Sequence, residues 1–248
     1  MRIIPLSEGS FTIDHTKEFV PFNKNSDNLQ QRPVGSLLVE IQPFVVETRN
    51  ERMLIDSGLG FCNEKNILQI HENMIANDID PLSITKVLMS HLHKDHSGGL
   101  LKYDEWQKTY VPAFPQAIHY IHKNELKLAL QPDNPSYVQK KMELIDSKLQ
   151  LHLLEEQQGT IEGFIKYEVT GAHSPHHMVF HIQTEKGLLF FGGDDAPQIQ
   201  QMKSRFVAKY DFDGKKSMEL RKQWWEQAQQ KHWTFLFYHD INTPSISF

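Results

Sequence analysis

The stretch HLHKDHSGG, residues 91–99, places four metal-binding side chains within six positions: His91, His93, Asp95 and His96. It directly follows the apolar run Val87-Leu88-Met89, which predicts a buried strand. A chain that turns sharply at a strand end would present the first two histidines on one side and the other pair opposite. Imidazole and carboxylate groups without a thiolate favour an exchangeable, catalytic centre of zinc, iron, cobalt or manganese. The alternative is a surface loop that is rich in histidine by chance, but the ordered H-x-H-x-D-H spacing argues against it.

Composition and charge limit the partners that we expect for this chain. Its 248 residues are 39% hydrophobic, so it can bury a substantial core, and residues 1–248 are interpreted as a single domain. The formal net charge is -5 at pH 7 without a run of Lys and Arg, so neither nucleic acid nor a membrane is an expected partner. The start of the chain lacks an export signal, and no apolar run approaches the roughly 18 residues of a membrane span, which favours a cytoplasmic protein. Cys62 is the only cysteine, and we interpret it as a small packed side chain rather than a nucleophile.

Hydrophobic periodicity predicts alternating strands and helices. Three apolar runs of strand length, predicted to form a meander in one sheet, lie at 37–41, 44–46 and 52–55. Helical periodicity is found at 63–77, 123–130, 136–149 and 215–231. The polar segment 15–33 is predicted to be a long loop, in which Phe19 and Phe22 either border a substrate pocket or pack beneath it. Helices outside two sheets, an α/β sandwich, are the architecture that this order favours.

The same local arrangement recurs along the chain, because a hydrophobic strand repeatedly stops at a compact turn that carries His or Asp. Beyond residues 91–96, the side chains placed in this way are Asp56, His173, Asp194 and His239. Strands that end at the same edge of a sheet would bring these groups together. Asp56 is expected behind the metals, hydrogen-bonded to a ligand histidine, with a plain Asx-turn as the alternative.

Seven side chains can be divided between two metals. The predicted ligands are His91, His93 and His173 for one metal, Asp95, His96 and His239 for the other, and Asp194 between them. Two divalent ions about 4 Å apart can share a hydroxide that acts as the nucleophile, while they stabilise the oxygen under attack and the leaving group. Asp194 and Asp95 are the predicted catalytic residues, because Asp95 or water on its metal could return the proton to the leaving group.

Taken together, these motifs resemble the metallo-β-lactamase superfamily. The matching turns are Asp56-Ser57-Gly58, the motif at 91–99, and His173-Ser174-Pro175, and Asp194 and His239 complete the family's ligand set. The resemblance implies a four-layer αβ/βα sandwich, with two mixed sheets flanked by helices, and a dinuclear centre that is usually zinc. Within the superfamily, the segments 194–197, 210–211 and 237–240 look most like quorum-quenching lactonases and methyl-parathion-type hydrolases.

The chain also departs from the family pattern. Ala172 and His176 stand where the family usually has glycine, and histidine is among the residues that tolerate a positive φ. Asp195 adjoins Asp194, so a shifted turn would exchange their roles. No tyrosine can be assigned to the position beside the substrate carbonyl that some lactonases use.

The sequence therefore predicts a metal-dependent hydrolase of a small ester, lactone or phosphotriester. Two alternatives remain open: a metal-binding protein of the same fold without hydrolytic activity, and a phosphodiesterase or nuclease-type relative, which should show a basic clamp. A small-molecule substrate is the expected partner, and a homodimer is left open. The substrate, the leaving group and the native metal are not assigned.

Overall fold

The computed structural model describes residues 1–49 and 51–248. Its strands are β1 Arg2–Pro5, β2 Gly9–Ile13, β3 Val20–Phe22, β4 Leu37–Ile41, β5 Phe44–Glu47, β6 Arg52–Ile55, β7 Lys86–Leu88, β8 Leu101–Asp104, β9 Thr109–Pro112, β10 Ile118–His122, β11 Gln150–Leu154, β12 Gln158–Ile161, β13 Ile165–Val169, β14 Met178–Thr184, β15 Gly187–Phe191, β16 Thr234–Leu236 and β17 Ser245–Ser247. Its α-helices are α1 Gln69–Ala76, α2 Lys94–Ser97, α3 Lys123–Ala129, α4 Gln139–Lys148, α5 Ile199–Met202 and α6 Gly214–Lys231. Short 3-10 helices lie at Leu29–Gln31, Pro81–Ser83, Gly98–Leu100 and Gly193–Asp195.

Two six-stranded mixed sheets form the centre of the fold. The first has the strand order β1-β5-β6-β7-β10-β11, and the second has the order β12-β13-β14-β15-β16-β17. In the first sheet β6, β7, β10 and β11 are parallel neighbours, so the chain leaves β6 and β7 at the same edge. In the second sheet β15 and β16 are parallel and also end at a common edge. The site side chains follow these strand ends.

Three layers of apolar side chains hold the sheets and helices together. The first lies between the first sheet and helices α1, α3 and α4, and includes Ile70, Val87, Leu126 and Ile145. The second lies between the two sheets and includes Phe44, Leu88, Phe180 and Phe191. The third lies between the second sheet and α6, and includes Phe190, Trp224, Ala228 and Phe235. Because neighbouring side chains of a strand point to opposite faces, β15 supplies Phe190 to one layer and Phe191 to the next. The four-layer sandwich predicted from the sequence is confirmed.

Two predictions of local structure were wrong. The helix expected at 63–77 begins only at Gln69, because the Asn63 side chain accepts the backbone N–H groups of Lys65 and Ile67 and holds a turn there. The meander also breaks after its first strand: β4 pairs with β2 in a separate three-stranded sheet with β3, and β5 and β6 continue into the large sheet.

The segment 15–33 contains more structure than a loop, since β3 and the 3-10 helix Leu29–Gln31 both lie within it. Phe22 is buried, and Phe19 packs edge-on against Phe11 with ring centroids 6.1 Å apart. Packing is therefore observed for both rings. Across the described ranges 1–49 and 51–248, every helix is too short or too polar to cross a membrane.

Candidate metal centre

The motif after β7 is held in place by close packing against the turn that follows β6. A Cβ atom at Gly98 would lie 2.1 Å from the backbone oxygen of Leu59, and one at Gly99 would lie 2.0 Å from that of Ser57. Gly98 itself has an ordinary helical conformation, with φ -57° and ψ -34°. The two glycines are thus needed for the close approach of two backbones and not for an unusual bend. Ser57 N–H donates to the backbone oxygen of His96 at 2.7 Å, which joins the two turns.

The side chains from four strand ends converge into two groups of potential ligand atoms. One group contains His91, His93, His173 and Asp194, and the other contains Asp95, His96 and His239. Within each group the atoms lie within 4.8 Å of one another. For the other six residues the division is the one that the sequence analysis assigned to two metals, whereas Asp194, which was predicted between them, falls in the first group.

Asp194 lies between the two groups. Its Oδ2 is 3.2 Å from His173 Nε2, and its Oδ1 is 2.9 Å from His239 Nε2. Burial alone would raise the pKa of this carboxyl group, but the adjoining imidazoles, His239 foremost, hold its pKa well below the usual range. A carboxylate in this position can contact cations bound on either side.

The donor atoms themselves fit divalent metals. His96 Nε2 and Asp194 Oδ1 are buried 3.1 Å apart, yet neither makes a hydrogen bond of suitable geometry among the residues that the structure describes. Burial, followed by the neighbouring histidines, lowers the pKa of His91 and of His93 well below the ordinary value. Neutral imidazoles and an ionised carboxylate are the forms that bind metals, and buried polar atoms without partners are otherwise costly.

His96 is oriented by a buried carboxylate, as the sequence predicted. His96 Nδ1 lies 2.7 Å from Asp56 Oδ2, and Ser90 donates to the same carboxylate from its N–H at 2.8 Å and its hydroxyl at 2.7 Å. With Nδ1 occupied in this way, Nε2 of His96 points at the candidate site.

His239 is oriented by a backbone carbonyl. Its Nδ1 donates to the oxygen of Glu40 at 2.7 Å. The Glu40 carboxylate is itself buried, accepts hydrogen bonds from Ser7 and Ser10, and lies 3.3 Å from Lys24 Nζ. His239, near the end of the chain, is thus anchored through Glu40 to β4 of the three-stranded sheet.

His173 has a partner that the sequence analysis did not identify. Its Nδ1 lies 2.9 Å from Oδ1 of Asp211, whose side chain is 1% exposed. Asp211 belongs to the segment before α6, and Phe212 N–H donates to the His173 oxygen at 3.0 Å. The only signal for it was the resemblance of residues 210–211 to the lactonase branch.

The structure separates the roles of the two neighbouring aspartates. The Asp195 carboxylate is fully buried and accepts hydrogen bonds from Thr170, from His173 N–H at 2.7 Å and from Ser217 at 3.0 Å. His177 lies between the pair, with Nδ1 3.1 Å from Asp195 Oδ2 and Nε2 accepting the N–H of Asp194 at 3.1 Å. The geometry places the Asp194 side chain at the candidate centre and the Asp195 side chain behind it.

The turn that carries His173 accommodates both departures from the family pattern. Ala172 is completely buried, and the His176 ring stacks on His122 with centroids 5.6 Å apart. The positive φ expected at His176 is not observed. Gly171 has it instead, with φ 57°.

Tyr210 is a second residue that sequence reasoning missed. Its ring centroid lies 6.2 Å from that of His173, and its hydroxyl oxygen accepts the Gln201 side-chain amide at 3.4 Å. Because the oxygen is the acceptor in this contact, the phenolic hydrogen remains available to another group. Burial is the main cause that raises the Tyr210 pKa to about 12, so the hydroxyl is protonated at neutral pH.

Comparison with known proteins identifies the family and the fold that this chain resembles. The sequence profile of the metallo-beta-lactamase superfamily matches residues 40–232. A lactamase-like protein, notP, of Aspergillus sp. (strain MF297-2) is 28% identical over 171 residues, which cover 67% of this chain and 43% of that protein. An atrochrysone carboxyl ACP thioesterase of Passalora fulva is 27% identical over 158 residues, covering 63% of this chain and 38% of that protein. The matched part thus spans about two fifths of each curated relative.

Solved structures share the fold at low sequence identity. A probable metal-dependent hydrolase from Staphylococcus aureus superposes with a TM-score of 0.76 and 23% identity, covering 99% of this chain and 91% of that one. AidC, described as a dizinc quorum-quenching lactonase, superposes with a TM-score of 0.71 and 18% identity, covering 98% and 88%.

Proposed function

This chain belongs to the metallo-β-lactamase superfamily, and we propose that it hydrolyses a small ester, lactone or phosphotriester with the help of two divalent metal ions. Zinc is the expected metal, and iron, cobalt or manganese would suit the same donors. The observation that carries this proposal is the position of Asp194, whose two carboxylate oxygens reach imidazoles of both ligand groups.

Seven side chains can be divided between two cations. We place the first with His91, His93 and His173, the second with Asp95, His96 and His239, and Asp194 in contact with both. When bound, two cations at this site would acidify a water molecule and polarise the bond that is cleaved. Asp56, Glu40 and Asp211 keep the ring nitrogens of three histidines directed at the centre.

Two side chains are assigned roles in the reaction itself. Asp95 Oδ2 lies 3.5 Å from His239 Nε2, at the face of the second group, and we assign it the return of a proton to the leaving group. Tyr210 is protonated and has a free phenolic hydrogen, which can donate to the oxygen that gains negative charge during attack.

Acyl substrates are the first choice because of the relatives. One structural neighbour is described as a lactonase, and one curated relative as a thioesterase. A lactone and a thioester are both acyl compounds, which a protonated tyrosine beside the centre would suit. A phosphotriester remains within the proposal.

The experiment is a substrate panel with metal-reconstituted protein. Lactones, aryl esters, an acyl thioester and phosphotriesters would be assayed with the wild type and with Asp194→Asn. We expect turnover of at least one acyl substrate by the wild type and a strong loss in the variant. Equal activity of the two proteins would contradict the role of Asp194, and activity on none of the panel would contradict the proposed function.

A further inference from the structure

Glu125 is a buried carboxylate that the proposed chemistry does not use. It lies on α3, and the residue is 1% exposed. Its Oε1 accepts the backbone N–H of Leu92 at 3.0 Å and the hydroxyl of Tyr137 at 3.1 Å. Its Oε2 accepts the hydroxyl of Ser174 at 3.4 Å. One carboxylate therefore ties together three segments that are distant in the sequence.

All three partners adjoin the first ligand group. Leu92 stands between His91 and His93, and Ser174 directly follows His173. The Tyr137 ring lies edge-on to His93, with centroids 5.1 Å apart. His91 and His93 are thus sequence neighbours of Leu92, and His173 is a sequence neighbour of Ser174. His93 also contacts the Tyr137 ring. All three of these neighbouring groups are hydrogen-bonded to Glu125.

The second ligand group has further supports of its own. Its histidines are oriented by Asp56 and by the Glu40 carbonyl, as described above. Tyr238 donates to the backbone oxygen of Asp95 at 2.6 Å. Within the described part of the chain, Glu125 makes no hydrogen bond to Asp56, Glu40 or Tyr238, so a change at Glu125 should affect the two groups unequally.

A buried glutamate at position 125 also needs an explanation. The other inward side chains of α3, Leu126 and Ala129, are apolar and belong to the core of the first sheet. An apolar side chain at position 125 would meet the packing need without removing a carboxylate from water. Burial is the largest influence on its carboxyl group and raises the Glu125 pKa, with the hydrogen bonds of Leu92 and Tyr137 acting in the opposite direction.

We propose that Glu125 is a positioning residue that holds His91, His93 and His173 in one arrangement and thereby sets the affinity of the first metal without setting that of the second. This inference rests on the two-metal centre of the proposed function. It concerns metal binding alone and does not depend on which substrate is cleaved.

Metal titration of two variants tests the inference. Glu125→Leu removes all three hydrogen bonds. Glu125→Gln keeps a carbonyl oxygen for Leu92 and Tyr137 and offers an amide that can donate to the Ser174 oxygen. Glu155→Leu is the matched control, because Glu155 is exposed and only pairs with Lys123. Metal-free proteins would be titrated with Co²⁺ and followed by visible absorption, with His173→Ala and His239→Ala as references for loss at each group.

We expect Glu125→Leu to bind one Co²⁺ like the wild type and the other roughly 10–100-fold more weakly, the range typical of residues that orient ligands. Its spectrum should match that of His173→Ala, and Glu125→Gln should restore both affinities. If Glu125→Leu does not fold, the double variant Tyr137→Phe/Ser174→Ala carries the same expectation. Two unchanged affinities, or an equal loss at both groups, would overturn the proposal. A wild type that binds two Co²⁺ ions but hydrolyses nothing would contradict the proposed function and leave this inference standing.

Discussion

Nδ1 of His173 lies 2.9 Å from Oδ1 of Asp211, although 38 residues separate them in the sequence. The contact fixes which ring nitrogen is free, because a carboxylate at Nδ1 favours the tautomer that exposes Nε2. Asp194 Oδ2 then lies 3.2 Å from that exposed nitrogen. The segment before α6 is therefore part of the site, even though it contains no ligand.

Replacing Asp211 by Asn should weaken metal binding and turnover together. The amide group can present a donor to His173 Nδ1, which no longer favours the required tautomer, and we expect roughly a 10–100-fold loss of metal affinity. Metal titration against a competing chelator would measure it. Asp213→Asn is the control, because the Asp213 side chain caps α6 by accepting Lys216 N–H, a role that asparagine can also fill. An Asp211→Asn protein with wild-type affinity would contradict the orienting role.

Asp194→Asn should mainly affect turnover, and Asp195→Asn should mainly affect stability. Asp194→Asn should lose turnover and metal binding, since that carboxylate faces the metals. Asp195→Asn should lower the free energy of unfolding by about 1–3 kcal/mol, because an amide hydrogen would face buried donors. Urea unfolding of the metal-free proteins and assays of the reconstituted ones would separate the effects. If Asp195→Asn lost turnover and Asp194→Asn mainly lost stability, the two aspartates would have the opposite roles.

Tyr210→Phe should lower kcat with little change in KM. The variant loses only the hydroxyl that we assign to the developing oxyanion, and removal of one such donor typically costs on the order of 10²-fold or more. Tyr103→Phe provides a control, because Tyr103 packs on Tyr110 in the β8–β9 hairpin. An unchanged kcat of Tyr210→Phe would contradict the role that we assign to the hydroxyl.

Glu8 should make the protein less stable as the pH rises. Burial raises its pKa from 4.5 to about 7, so between these values the folded protein binds more protons than the unfolded chain. Stability must therefore fall through this window as the pH rises, by at most roughly 3 kcal/mol. Glu8→Gln should flatten that slope in urea unfolding of the metal-free protein at pH 5 and pH 8. An unchanged slope, with Glu155→Gln as the exposed control, would contradict the assignment.

The sequence predicted those parts of the site that follow strand ends. The apolar run of β15 and the glycines behind it located Asp194, and the run before His91 located the motif, because both signals are local. Asp56 was also predictable, since a carboxylate after a strand that runs parallel to β7 must lie near that motif.

Other supports depend on packing that local patterns do not encode. Asp211 and Tyr210 lie in an irregular segment whose position is set by α6. Glu125 reaches the site because α3 packs on the first sheet, and no periodicity distinguishes it from an exposed glutamate. The start of α1 at Gln69 was missed for a related reason, since the Asn63 side chain competes with the helical hydrogen bonds.

We propose that side chains from four strand ends bind two divalent cations that are required for hydrolysis. Metal content would be measured by mass spectrometry on the chelated and zinc-reconstituted protein, in parallel with turnover of the best substrate of the panel. We predict two ions per chain after reconstitution, loss of turnover on chelation and recovery of turnover when zinc is returned. A folded protein that retains no transition metal however it is loaded, or one that keeps its activity without metal, would contradict it.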